Sequence, residues 1–150
     1  MSLLRLITFR QQPEPPTGIV TSDLIVHLDA GNSASYPGTG TTWTDLSGQG
    51  NDGTLVNGVG YSSNDGGYLI FDGVDDYVNN GAITTGGKIT VSAWVKMNTG
   101  NRFQHIMDSS SNTWHVAISD TNQPYMFNGS AYHLTGQTLS TSTWYMITAV

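Results

Sequence analysis

Two short stretches of this chain gather oxygen ligands densely enough to hold a hard cation. Asp72, Asp75 and Asp76 crowd around the turn Asp72-Gly73, and Asp45, Asn51 and Asp52 border the glycine-rich run Gly48 to Gly53. Calcium takes roughly six to eight oxygens from carboxylates and carbonyls, and tight turns are what make such groups converge. The competing reading is that these side chains cap their own turns, and neither stretch has EF-hand spacing. Zinc is a poorer fit. His27, His105, His115 and His133 are scattered, form no His-x-x-x-His pair and have no cysteine to join them.

Catalytic patterns are missing. Glycoside hydrolysis needs two carboxyls facing each other across a sugar, yet the single glutamate, Glu14, sits among prolines and no expected strand carries two acids on one face. There is no Gly-x-Ser-x-Gly elbow and no phosphate-cradling loop. The residue types point to binding, not to an enzyme. Binding a glycan requires aromatic faces beside hydroxyl and amide partners. Tyr36, Trp43, Tyr125 and Tyr132 are the candidates; Trp94 and Trp114, in mid-strand, read as packing.

The elements that position these groups are short strands. Tyr68 to Phe71 alternates, with Leu69 and Phe71 on one face and Tyr68 and Ile70 on the other. Asp72-Gly73 turns, and Tyr77-Val78 resumes an extended run, so this stretch is the corner around which the chain is organised. Leu24, Val26 and Leu28 alternate as a strand closed by Ala30-Gly31-Asn32. Thr41 to Leu46 is a short extended piece, Thr54-Leu55-Val56 a brief strand ended by Asn57-Gly58, and Ser62 to Gly67 a polar loop. Ile89, Val91, Ala93 and Val95 mark the cleanest strand, followed by strands over Phe103 to Met107 and Trp114 to Ser119. Tyr125-Met126-Phe127 turns at Asn128-Gly129, a strong hairpin signal, with its return over Ala131 to Leu134. Trp144 to Val150 is a last apolar strand. No segment sustains a helical period, and strands at this spacing predict a two-sheet sandwich.

Composition agrees. The chain has 150 residues, enough for one domain. Only 11% of residues are charged, against about 25% in an average globular protein, so Gly, Ser, Thr and Asn supply the polar surface. The net charge is −6 with five basic residues, too few for a nucleic-acid stripe. With no cysteine, disulfides are excluded. Arg5 and Arg10 break the apolar residues of the first ten positions, so no signal-peptide core forms, and no run approaches the roughly 20 apolar residues of a membrane span. Residues 1–21 read as an N-terminal arm and Pro-rich spacer, and residues 22–150 as the domain.

Four ordered motifs carry a resemblance. Residues 24–31 (Leu-Ile-Val-His-Leu-Asp-Ala-Gly), Trp43 with 45–55, 69–78 (Leu-Ile-Phe-Asp-Gly-Val-Asp-Asp-Tyr-Val) and 89–96 (Ile-Thr-Val-Ser-Ala-Trp-Val-Lys) are similar to the laminin G-like modules of the concanavalin A-like jelly-roll superfamily. The wording is closest to versions in structural proteins of tailed phages and in bacterial surface proteins. The resemblance implies an all-β jelly-roll sandwich of two antiparallel sheets that acts outside cells, binding glycan or protein, often with one calcium. Such modules continue past a Trp144-type strand with another hairpin, so this sequence is either a piece of a longer protein or completed by another chain. The expectation is a non-enzymatic virion component (decoration, tail or fibre) displayed on the particle surface, or otherwise an extracellular or cell-surface adhesin. It would meet other virion proteins through residues 1–12 and its C-terminal edge, as part of an oligomer, with a glycan as ligand and neither nucleic acid nor membrane. The alternative is a purely structural assembly subunit without a ligand.

Overall fold

The computed structural model describes residues 19–85, 87–109 and 113–150. The arm at residues 1–12 therefore lies outside the described residues. Eleven short strands run in chain order: β1 (Thr42–Trp43), β2 (Gly53–Val56), β3 (Gly60–Ser62), β4 (Tyr68–Ile70), β5 (Tyr77–Asn79), β6 (Val91–Lys96), β7 (Gln104–Asp108), β8 (His115–Ile118), β9 (Pro124–Phe127), β10 (Tyr132–Leu134) and β11 (Trp144–Ala149). A single 3-10 turn, Asn64–Gly66, is the only helical element among the described residues. Every strand pair is antiparallel. The sheets run β1-β2-β5, β10-β9-β8-β7, β11-β6 and β3-β4.

The core lies between β6–β11 and the four-stranded sheet. Val91 of β6 and Ile147 of β11 meet Val116 and Ile118 of β8, with Met97 and Leu139 closing the ends. Alternation explains this division. On β8, Val116 and Ile118 face the core while His115 and Ala117 face away, and the register Ala117↔Tyr125 and His115↔Phe127 puts both rings beside them. At the Asn128-Gly129 turn, Asn128 Oδ1 accepts from the amides of Ser130 and Ala131. Gly129 takes φ +87°, which glycine reaches without steric cost. The resulting register pairs Tyr132 with Phe127 and Leu134 with Tyr125.

Three features depart from the expectations or add to them. The stretch Leu24 to Leu28 forms no ladder, because its backbone bonds a turn instead of a strand. Ile25 O accepts from Ser47 Oγ and Asn51 Nδ2, His27 N donates to Asp45, and His27 O accepts from Leu46 N. The corner strands β4 and β5 do not pair with each other; β4 joins β3 and β5 joins β2, so the acidic turn bridges two sheets. The loop expected over Ser62 to Gly67 instead begins at the end of β3 and contains the 3-10 turn.

That 3-10 turn is tied down by charge. Asp65 accepts from Lys96 Nζ at 2.9 Å and from Trp144 Nε1 at 3.0 Å. The Lys96 ammonium also sits over the rings of Tyr68 and Trp144, at 4.6 and 4.7 Å. The β3–β4 hairpin is thereby pinned to the β6–β11 layer.

Candidate functional site

The Asp45 turn is closed to a metal. Asp45 is buried, and its Oδ1 accepts from His27 N at 2.8 Å and Ser47 N at 2.9 Å. Its Oδ2 accepts from Ser47 Oγ at 2.6 Å and Asn51 N at 3.0 Å. Asp52 accepts from Asp45 N, Asn51 Nδ2 donates to Ile25 O, and Asn51 O accepts from Asn80 Nδ2. Desolvation alone would raise the Asp45 pKa, but the bonds from Ser47, His27 and Asn51 outweigh it and hold it at about 2. The donors already occupy the lone pairs that calcium would use. Asp45, Asn51 and Asp52, expected as metal ligands, form a structural clasp here, because the chain's own N–H groups reach the Asp45 carboxylate first.

The corner Asp72–Asp76 is different. Carboxylate oxygens of Asp72, Asp75 and Asp76 lie within 4.8 Å of one another. Asp72 Oδ1 accepts from Val74 N at 2.8 Å, and Asp76 Oδ2 accepts from Asp72 N at 2.9 Å. The Val74 bond leads in holding the Asp72 carboxyl below its usual range. Asn57 Nδ2 ties down the Asp75 carbonyl, and Arg102 Nη2 the Gly73 carbonyl. Asp76 Oδ1, however, is buried with no hydrogen-bond partner. An unpaired buried carboxylate oxygen costs free energy unless something positive meets it. An all-oxygen donor set with one orphaned atom fits calcium.

The third feature is a carpet of rings on the outward face of the four-stranded sheet. His115 is its centre, with Phe127 stacked on it at 5.1 Å between centroids, His105 at 4.9 Å on a neighbouring strand, and Tyr125 edge-on at 5.5 Å. Tyr132 lies over Phe127 at 4.8 Å, and Phe103 meets Tyr125 edge-on. Tyr132 is 63% exposed and Phe103 61% exposed, while His115 and Tyr125 form a buried floor. At the carpet's edge His105 Nδ1 pairs with Asp108 at 3.1 Å, while the contact of Asn128 Nδ2 with His133 Nε2 at 3.0 Å lies with Met126 on the opposite, inner side of the sheet. Both nitrogens of His115 are buried without a hydrogen-bond partner. Burial first, and the neighbouring His105 second, push its imidazole below the ordinary value, against a smaller opposing pull from Asp108.

The four aromatic candidates separate accordingly. Tyr132 stands exposed on the carpet. Tyr125 belongs to it but is covered, at 7% exposure. Tyr36 is 4% exposed, donates its hydroxyl to Gly40 O and abuts Tyr61 edge-on, so it offers no free ring face and is corrected to a packing residue. Trp43 is half-buried with an unpartnered Nε1 and stands apart from the carpet, on β1. Trp94, expected to pack, is instead 64% exposed. Phe103, His105, His115 and Phe127 escaped the sequence reading. The Asn128-Gly129 register was the signal that could have found Phe127, since it sets Phe127 of β9 opposite Tyr132 of β10.

An antiparallel sandwich with a ring-bearing sheet face and an acidic corner defines an all-β sandwich module. A laminin G family model, described as concanavalin A-like lectin/glucanases superfamily, matches residues 71–150, and the chain belongs to that family. No curated protein and no solved structure matched the chain.

Proposed function

We propose that the domain is a non-enzymatic carbohydrate-binding module whose ligand lies across the ring carpet of β7 to β10. The observation that carries the reading is the clustering of Phe103, Tyr125, Phe127 and Tyr132 around two imidazoles on one sheet face, with exposed rings at its rim. The C–H face of a pyranose packs on such rings, and its hydroxyls find His105 and Asp108 at the edge. Asp72, Asp75 and Asp76 hold calcium in this reading, which fixes the corner between β4 and β5 by satisfying Asp76 Oδ1. Binding without catalysis is supported by the sequence, whose only glutamate, Glu14, stands among prolines with no second glutamate to pair with it.

A neutral-oligosaccharide array followed by calorimetry tests this. Tyr132→Ala, which removes an exposed ring, is expected to weaken binding about tenfold, the worth of one stacking contact, with the thermal midpoint nearly unchanged. Chelation should lower the affinity of the parent and leave Asp76→Asn unaffected. Binding that survives Tyr132→Ala at full strength sinks the carpet as the site. The proposal also places the module on the outside of a virion, or otherwise of a cell; the wording of its motifs supports this. Absence of the chain from both purified particles and surface fractions would refute it.

A further inference from the structure

One straight row of side chains crosses the outward face of the four-stranded sheet. Register sets Asp108 of β7 opposite His115 of β8, His115 opposite Phe127 of β9, and Phe127 opposite Tyr132 of β10. A β-bulge makes the polar end of the row. The ladder slips between His105 and Met107, so His105 and Asp108, three positions apart, share a face that strict alternation would deny them. There His105 Nδ1 holds Asp108 Oδ2 at 3.1 Å. The middle of the row has no such partner. His115 is 6% exposed, and neither of its ring nitrogens has a hydrogen-bond partner. Its neighbours are rings: Phe127 stacked on it, His105 tilted against it, Tyr125 edge-on and Tyr132 beyond. A buried polar group without a partner costs free energy. A phenylalanine would fill the same space without that cost, so packing alone does not call for an imidazole here.

We infer that His115 is a proton-operated switch: in mild acid it takes up a proton that its closed position cannot accommodate, and the rings of Phe127 and Tyr132 part from it. The groups that face it set the direction. They are His105 and Asp108 from β7, Tyr125 and Phe127 from β9, and Tyr132 from β10. An imidazolium carries two N–H donors, and ring faces offer them no lone pair. Asp108 is the carboxylate whose charge reaches His115, but His105 already holds it, and turning it to His115 would break that bond. Burial first, then His105, keep the folded imidazole below its ordinary 6.5, with Asp108 pulling the other way. An opened arrangement, in which water reaches the ring, therefore binds the proton more readily than the closed one. The closed carpet keeps its full stability above about pH 6.5 and loses it as pH falls further. Resting on the reading that a sugar lies across these rings, the same proton releases it, because Phe127 and Tyr132 are its platform.

Nuclear magnetic resonance of the chain without ligand, titrated from about pH 8 to about pH 5, tests the switch. The His115 imidazole should titrate with a midpoint below 6.5, and the Phe127–Tyr132 ring contacts should weaken along the same curve. In His115→Phe, which keeps a ring and loses the proton, those contacts should persist throughout. Contacts that persist in the parent, or that fade equally in His115→Phe, overturn the inference. So does a His115 midpoint at or above 6.5, a result that needs no variant. Affinity for a neutral oligosaccharide from the array is the second readout. Binding to the parent should fall at least about tenfold between about pH 7.5 and about pH 5, while binding to His115→Phe, whatever its strength, should not change with pH. Ring contacts that break with His115 while no sugar binds at any pH support the switch and refute the carpet as a sugar site, so the two failures are told apart.

Discussion

Asp45→Ala is expected to lower the stability of the domain by about 4 kcal/mol, or roughly 8–16 °C in thermal midpoint. Removing this carboxylate strands the amides of His27, Ser47 and Asn51 and the Ser47 hydroxyl. Buried donors left without an acceptor cost about 1–3 kcal/mol each, reduced here because the loop can relax toward water. The damage spreads, since the same clasp holds the otherwise unladdered stretch Ile25 to His27 against the domain. Asp45→Asn keeps one accepting oxygen and should cost less, about 1–3 kcal/mol. Its amide nitrogen faces the N–H of Asn51, which cannot accept. Chemical denaturation measures both. If the loss vanishes in chelator, Asp45 is a metal ligand after all and the clasp interpretation fails.

Acid gives the same residue a second signature. Its folded pKa of about 2 lies below the unfolded value of 3.8, so the unfolded chain binds a proton more readily than the folded one. The stabilisation is complete above about pH 4, disappears as pH falls through about 2, and amounts to about 2 kcal/mol. Asp45→Asn should flatten that part of the stability-versus-pH curve. A curve of unchanged shape would show that the carboxylate's charge is not what the clasp uses.

The legible and illegible parts of this fold divide by range of interaction. Period-two alternation at Val91 to Val95 reads directly because a strand with one buried face has no other way to hide Val91. The Asn128-Gly129 hairpin reads because a glycine at positive φ and an Asn that bonds its own turn are local facts. Leu24 to Leu28 has the same alternation as Val91 to Val95 and forms no strand, because its partner is the Asp45 clasp across the chain. Nothing local distinguishes an edge taken by side-chain acceptors from one taken by a ladder. The two acidic stretches looked equivalent for the same reason. Which carboxylate is saturated depends on Ser47 and His27 in one case and on the solitary Asp76 Oδ1 in the other. Rings mislead in the opposite direction. Tyr36 sits in a loop and is buried, Trp94 sits mid-strand and is exposed, because burial of a β residue is decided by whether a second layer covers its face.

Gly31→Ala is expected to cost about 3 kcal/mol, although Gly31 looks like an ordinary turn residue after Asp29 and Ala30. A Cβ there would run into the carbonyl oxygen of Gly66, and neither side is a flexible side chain that can swing away. Gly67 makes the reciprocal approach, with φ +103° and a would-be Cβ 2.7 Å from Gly31 Cα and 2.8 Å from Ala30 O. Gly67→Ala adds backbone strain of about 1–3 kcal/mol to the collision. This backbone-on-backbone contact seats the 3-10 turn whose Asp65 receives Lys96 and Trp144, so prying it open also loosens the β3–β4 hairpin from β11. Gly50→Ala is the control: φ is +75° but nothing lies within 4 Å of the new methyl, so only left-handed strain remains, about 1 kcal/mol. Denaturant midpoints should therefore rank Gly31→Ala and Gly67→Ala well below Gly50→Ala. If the three cost the same, conformational freedom and not close approach is what these glycines supply, and the seat of the hairpin must be sought in the Asp65 contacts alone.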